Sequence, residues 1–353
     1  MIHKICCSPY KWLDPVGQNH LQYLLVKNDG YVGFIELRVR NEWLVEQSYN
    51  MAKSGTQTTP QNDAFSQNIL LDFPSPNMGK ALHVGHLRAG VIGDTLARML
   101  HFQGHVVTRH SHVGDVGAAM ATIVVQSLEE TSRQHGDDDT VEWTPKLLST
   151  WYEKGKKRND DDAFQQQVKE TVLRIQNMSE EPLDGLVQET WKRICTISRV
   201  GFQDIWTKLD VHSTERAESS YREAVPSILE ELKKLENVEM SRNVLCVFFQ
   251  EGSSPLVIQK SDGGYLYATI DFAAAKERLQ SRYDRILYIT DKSQELHFKQ
   301  LFETLQKVGW YDSSTCSLEH VPFGLVLGEN GRKLSSRNGK QFYNIYLEII
   351  LIE

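Results

Sequence analysis

The stretch from Asn68 to Leu100 limits the fold more than any other part of the chain. Asn68-Ile69-Leu70-Leu71-Asp72-Phe73 is a short, nearly continuous apolar run, the pattern of a parallel strand buried on both faces. A polar turn, Pro74-Ser75-Pro76-Asn77-Met78-Gly79-Lys80, follows, and then His83-Val84-Gly85-His86, after which Leu87, Val91, Ile92, Leu96 and Leu100 recur at helical spacing. A strand feeding a helix start presents unpaired backbone N–H groups and partial positive charge, so anionic phosphate is favoured there. Gly85 keeps a side chain off that backbone. His83 and His86, three residues apart, face the same way and are candidates to donate hydrogen bonds to a phosphorus centre as its oxygens gain charge.

Those four letters alone are weak evidence, because an ordinary helix start with two surface histidines gives the same pattern. Metal is a sharper rival, since His83, His86, His101, His105, His110 and His112 fall in one short region. None has H-E-x-x-H spacing, and no C-x-x-C accompanies them, so no metal site is expected.

A second signal stands far downstream. Phe323-Gly324-Leu325-Val326-Leu327-Gly328 reads as a strand, and Glu329-Asn330-Gly331-Arg332-Lys333-Leu334-Ser335-Ser336-Arg337-Asn338-Gly339-Lys340 as a glycine-rich basic loop. Such a loop is suited to closing over a triphosphate, with Lys333, Arg337 and Lys340 as cations for a leaving pyrophosphate. On its own, K-L-S-S-R would be a solvated turn. Paired with H-V-G-H in this order, it resembles the K-M-S-K-S and H-x-G-H signatures of class I aminoacyl-tRNA synthetases.

The words between the signatures narrow the resemblance. S-P-N-x-x-K-x-x-H-V-G-H-L-R, then His112-Val113-Gly114-Asp115, Ser261-Asp262-Gly263-Gly264-Tyr265-Leu266-Tyr267-Ala268-Thr269-Ile270-Asp271 and Phe323 to Gly328 are similar to arginyl-tRNA synthetase across roughly residues 31 to 340. The resemblance implies ATP-dependent activation of L-arginine and transfer to tRNA(Arg), with Mg2+ carried on the ATP. It gives His83, His86, Lys80 and Lys333 the catalytic roles and places Gly85, Ser335 and Arg337 beside them at the ATP. Lys80 gains weight because Ser336 replaces the second lysine of the loop. Ser75 and Asn77 are expected to meet the amino and carboxylate groups of arginine, and Tyr267 and Asp271 its guanidinium. Glu218 stands where the family has the acid of G-E-S, and Gln294 is expected in the same crevice. Two departures are Ala217 for the glycine before Glu218, and Val116 for the tryptophan of G-D-W-G.

Bland readings accompany several of these residues. Asp271 is equally an N-cap for a helix over Phe272 to Arg282, Ser75 and Asn77 suit turn chemistry around two prolines, and Gln294 could belong to a capped helix start. The physical argument for an acidic pocket is independent of them: a guanidinium presents a planar fork that carboxylates pair with bidentately.

Fold class follows from the order of elements. Strand 68–73, helix 84–103 and strand 105–109 form a β-α-β unit, a long helical insertion occupies about 117–235, and the sheet resumes at 243–249 and 256–260. Strand 285–290, helix 294–308 and strand 322–327 complete an α/β Rossmann-like parallel sheet with ligands at the carboxyl ends of its strands. The resemblance implies a domain division of 1–64 as part of an N-terminal tRNA-recognition domain with its linker, 65–340 as the catalytic core, and 341–353 as a tail. A strand at Tyr31 to Val39 and a helix through Leu44 to Ala52 belong to the first of these. The family continues past this tail with a helical anticodon-binding domain, which is expected to be missing, so the activity of this form is left open. A non-catalytic RNA-binding or regulatory fragment, and an H-x-G-H ligase that works without tRNA, are the alternatives.

Composition bounds the rest. The chain of 353 residues is 40% hydrophobic and 24% charged, ordinary for a globular protein, and the apolar run Tyr343 to Ile352 is too short to span a membrane. Cys6, Cys7, Cys195, Cys246 and Cys316 lack metal spacing and fit a reducing compartment. The cytosol is the default, an organellar address is left open, and a monomer is expected. The net charge of −7 lends RNA binding no support, although local basic surface decides that question. Lys154, Lys156, Lys157 and Arg158 are a candidate RNA contact or a solvated helix face, and the acidic runs 137–139 and 160–162 read as loops or helix caps.

Overall fold

The computed structural model describes residues 21–28, 33–54, 66–133, 142–178, 185–250 and 253–325. The chain divides into two units, Met1–Gln61 and Asn62–Glu353. In the first, β1 (Leu21–Asn28) and β2 (Gly33–Val39) form an antiparallel hairpin, followed by α1 (Asn41–Ser54). The strand and helix expected here are present, and β1 is an addition to them.

The second unit is built on a five-stranded parallel sheet. Its strands are β3 (Asn68–Asp72), β4 (Val106–Ser111), β5 (Thr214–Glu215), β9 (Arg285–Asp291) and β10 (Ser317–Phe323), in the order β10-β9-β3-β4-β5. Ile69, Leu70 and Leu71 are fully buried, as a strand covered on both faces requires. From β3 the chain steps outward through β4 to β5, then returns to add β9 and β10 on the opposite side of β3. The connections therefore diverge between β3 and β9, the place where an open α/β sheet leaves a crevice at its carboxyl ends.

The helix α2 (Val84–Phe102) crosses from β3 to β4. It lies so close to the loop after β3 that a Cβ on Gly93 would stand 2.1 Å from Phe73 Cγ. The following segment contains α3 (Ala118–Arg133), α4 (Pro145–Lys156), α5 (Asp162–Gln176) and α6 (Gly185–Lys208). It then touches the sheet through β5, makes a 3-10 helix at Glu218–Ala224 and ends in α7 (Val225–Leu232). Asp161, in one of the acidic runs, caps α5 by accepting from the Phe164 N–H at 3.1 Å.

Four sequence readings need correction. The residues at 243–249 and 256–260 do not rejoin the parallel sheet: β6 (Val238–Ser241), β7 (Val244–Val247) and β8 (Leu256–Gln259) form a separate antiparallel sheet. The last strand occupies Ser317–Phe323 and starts earlier than expected, and β4 runs to Ser111. The helix carrying Asp271 is α8 (Tyr267–Gln280), capped at Leu266, so Asp271 lies inside it and is not its N-cap. It is followed, after β9, by a 3-10 turn at Lys292–Gln294 and α9 (Glu295–Lys307). Among the described residues no helix is long and apolar enough to cross a membrane.

Candidate active site

The carboxyl ends of β3, β4 and β9 and the start of α2 bring most of the expected residues into one region. His83 is the N-cap of α2: its Nδ1 accepts from the Gly85 N–H at 3.1 Å, while His86 Nδ1 accepts from the His83 N–H at 3.3 Å. This reciprocal cap satisfies two helix-end donors and stacks the two rings, with centroids 3.7 Å apart. Gly85 is needed for it, since a Cβ there would come within 2.9 Å of the His83 ring.

The cap also decides the tautomers. A neutral imidazole that accepts at Nδ1 carries its proton on Nε2, so each ring keeps an Nε2–H donor beside the helix N-terminus. Burial, reinforced by His83 and Lys80, holds His86 well below the ordinary histidine range and therefore neutral. Lys80 lies half-buried just upstream, its Nζ 4.8 Å from the centre of the Tyr152 ring. Lys333, Ser335 and Arg337 lie outside the described residues. Arg88, further along α2, reaches the residue just past β10, donating from Nη1 to the Gly324 carbonyl at 2.8 Å.

A second cluster is acidic. Tyr267, Asp271 and Arg278 lie on one face of α8, which puts a phenol, a carboxylate and a guanidinium in a row. Asp271 is bracketed by two histidines, with His297 Nε2 at 2.8 Å from Oδ2 and His112 Nε2 at 3.4 Å from Oδ1. Burial alone would push the Asp271 carboxyl up, but these two partners outweigh it and hold it well below the usual range. His112 answers in kind: burial opposes its charge, yet the Asp271 carboxylate raises its pKa above the ordinary value. The Tyr267 ring stands 5.1 Å from that of His297 and is 56% exposed at the mouth of the cluster.

Glu218 opens the 3-10 helix, its N–H donating to the Val113 carbonyl at 2.9 Å. Burial first, then the nearby Asp115 and Asp271 carboxylates, push Glu218 up to about 7, against the opposing pull of His112. Ala217 has φ −65° and ψ 153°, a backbone any residue adopts, so the missing glycine costs nothing there. A Cβ on Gly114 would stand 2.7 Å from Asn77 Oδ1 and 3.6 Å from Glu218 Oε1, which places both side chains over one glycine. Asn77 and Gly114 are joined by a parallel bridge. Val116, in place of the expected tryptophan, is buried, and Trp191 donates its indole N–H to the neighbouring Asp115 carbonyl at 2.7 Å.

The remaining residues behave less simply. The Ser75 hydroxyl donates to Asp72 Oδ1 at 3.0 Å. Gln294 is exposed and makes no cap hydrogen bond, whereas Asp291 accepts from the Ser293 N–H at 2.9 Å. The clustered histidines do not converge on one point: among the described residues no three His, Cys, Asp or Glu side chains are grouped to hold a metal ion. Of the basic cluster, Lys154 pairs with Glu130 and Arg158 with Glu129 and Asp161. His112 and His297 belong to the site although the sequence reading assigned their side chains no role. The H-V-G-D word and the helix start at Gln294 lie beside these residues without revealing that both face Asp271.

A family model described as tRNA synthetases class I (R), catalytic domain, matches residues 49–351. An arginine–tRNA ligase of Synechococcus sp. is 38% identical over 315 residues, covering 87% of this chain and 52% of that protein. One of Protochlamydia amoebophila is 38% identical over 282 residues, covering 78% and 47%. The chain spans about half the length of the curated relatives it matches. The crystal structure of arginyl-tRNA synthetase from Plasmodium falciparum superposes with a TM-score of 0.68 at 26% identity, covering 94% of this chain and 58% of that one. The Thermus thermophilus enzyme shares the fold, with a TM-score of 0.60 at 17% identity over 95% of this chain and 60% of its own.

Proposed function

The chain belongs to the family of class I tRNA synthetase (R) catalytic domains, and from that premise we propose that it activates L-arginine with ATP and transfers the arginyl group to tRNA(Arg). The observation that carries the substrate is the pair of half-buried carboxylates, Asp271 and Glu218, facing His112 in one crevice. Among side chains only carboxylates match a guanidinium with two parallel charge-assisted hydrogen bonds, so this is chemistry for arginine over lysine. In this reading Asp271 and Tyr267 hold the guanidinium with Glu218 beside them, Ser75 and Asn77 hold the α-amino and carboxylate groups, and Gln294 borders the crevice.

The reaction asks for little covalent chemistry. The arginine carboxylate attacks the α-phosphorus in line, pyrophosphate leaves, and the acyl group passes from AMP to a ribose hydroxyl of tRNA. His83 and His86 supply two fixed Nε2–H donors where charge develops, at a helix N-terminus that adds its own field. Lys80 and Lys333 act on the triphosphate, with Gly85, Ser335 and Arg337 beside it. Mg2+ is carried on the phosphates as part of the substrate. A cytoplasmic monomer completes the reading.

The electrostatics give a test. An arriving guanidinium is always charged, so it favours the ionised form of Glu218 and disfavours protonated His112. Both effects release protons. Arginine affinity therefore rises as pH rises through about 7, where Glu218 titrates, by as much as about tenfold per pH unit for each proton released. Titration calorimetry at pH 6 and pH 8, in two buffers of different ionisation heat, is expected to show tighter binding at the higher pH with net proton release. Glu218→Gln is expected to weaken binding and flatten the slope. Proton uptake, or lysine binding as well as arginine, would contradict the assignment.

A further inference from the structure

Asp72 closes β3 and its two carboxylate oxygens have different partners. Oδ2 pairs with Arg278 Nη1 at 2.7 Å, and Oδ1 accepts from the Ser75 hydroxyl at 3.0 Å. Both charged residues are buried, Asp72 at 6% and Arg278 at 3% exposure. The sheet register puts Asp72 beside His110 on one side and Tyr288 on the other, and Arg278 reaches the same face from α8, its Cζ 5.4 Å from the Tyr288 ring. Among the described residues, Nε and Nη2 of Arg278 have no hydrogen-bond partner, so Asp72 is the partner that justifies burying this cation.

The turn after Asp72 is held equally firmly. The Phe73 N–H donates to the His110 carbonyl at 2.8 Å, and the Ser111 hydroxyl donates to the Pro74 carbonyl. Ser75 therefore has little freedom to turn away. An ionised carboxylate can only accept, so in the Ser75–Asp72 contact the hydroxyl must be the donor. Its one proton is committed, and the half-buried oxygen keeps only lone pairs for a further partner.

Resting on the arginine-activation reading, we propose that Arg278 is a positioning residue: by fixing Asp72, it makes the half-buried Ser75 hydroxyl an obligate acceptor, which selects the α-ammonium of the amino acid at that end of the crevice. A carboxylate oxygen of the substrate, which also only accepts, is refused there and is left to the Asn77 side. Arg278 has a second effect. An unpaired carboxylate three residues from Ser75 would be a rival seat for the substrate guanidinium, and an internal guanidinium already fills it. The arginine then has one orientation, with its charged fork at Asp271 and its ammonium at Ser75.

The test compares arginine with 5-guanidinopentanoic acid, the same molecule without the α-amino group, by calorimetry on the full chain. Wild type is expected to prefer arginine by about ten- to a hundredfold, the worth of a hydrogen bond to a charged group. Ser75→Ala is expected to remove most of that preference while leaving affinity for the desamino compound unchanged. Asp72→Asn combined with Arg278→Gln removes both buried charges together, and the new amide can donate to Ser75, so the preference is expected to collapse likewise. Arg278→Lys keeps the ion pair and is expected to keep the preference. A purely structural role would weaken both ligands equally, which would overturn the proposal. An unchanged preference in Ser75→Ala would overturn it even if the double variant failed to fold. If wild type bound both compounds equally well, this inference alone would fall, whereas binding of neither would remove the arginine reading and this inference with it.

Discussion

His83→Asn is expected to leave the protein folded and its ATP affinity nearly intact while slowing adenylate formation by about a hundred- to a thousandfold, the usual cost of removing one preorganised donor. This residue has a double duty. His83 caps α2 through Nδ1, which leaves its ring proton on Nε2. Asparagine is among the best N-caps, so it retains the first role and loses the second. His86→Ala removes the other donor and half of the reciprocal cap, so the same loss of rate should come with about 0.5–2 kcal/mol of stability. Pre-steady-state adenylate formation and thermal melts separate these effects. A His83→Asn variant with full turnover would reduce H-V-G-H to a helix cap.

Asp271→Asn is the second large effect expected. The change keeps the shape but removes the charge that two parallel guanidinium hydrogen bonds need, so arginine should bind at least about a hundredfold more weakly with ATP binding unchanged. The structure adds a second reason. Asp271 accepts from His297 on one oxygen and faces His112 on the other, and an amide can serve only one of them as acceptor. The crevice should therefore also lose some of its order. Calorimetry giving wild-type arginine affinity for this variant would assign Asp271 to the protein's interior and not to the substrate.

What could be read from sequence was local. The strand, turn and helix from Asn68 to Phe102 were legible because a continuous apolar run, two prolines and a capped helix start each have a physical signature within a few residues. The antiparallel sheet of β6, β7 and β8 was misread because Val244–Val247 and Leu256–Gln259 are short apolar runs that look the same in either kind of sheet. β5 has two residues and no apolar pattern to notice. Asp271 stood before Phe272 and a run of alanines, which imitates an N-cap, while the true cap, Leu266, makes no side-chain bond.

The site was legible as words but not as contacts. His112 and His297 lie far apart in the chain yet meet at Asp271, and nothing local announces such a meeting. Arg278 has the sequence context of a surface arginine on an alanine-rich helix, yet it is almost fully buried because Asp72, in another element, is there to receive it. Buried ion pairs of this kind are fixed by topology, here by the register that sets β3 beside β9 and α8 over both.

The central claim is that this crevice activates arginine with ATP. The most direct measurement is arginine-dependent exchange of labelled pyrophosphate into ATP, run with purified tRNA(Arg) and with lysine as the control amino acid. Exchange is expected with arginine and not with lysine, and the arginine signal is expected to be lost in both His83→Asn and Asp271→Asn. Exchange that lysine supports equally, or that survives both substitutions, would contradict it.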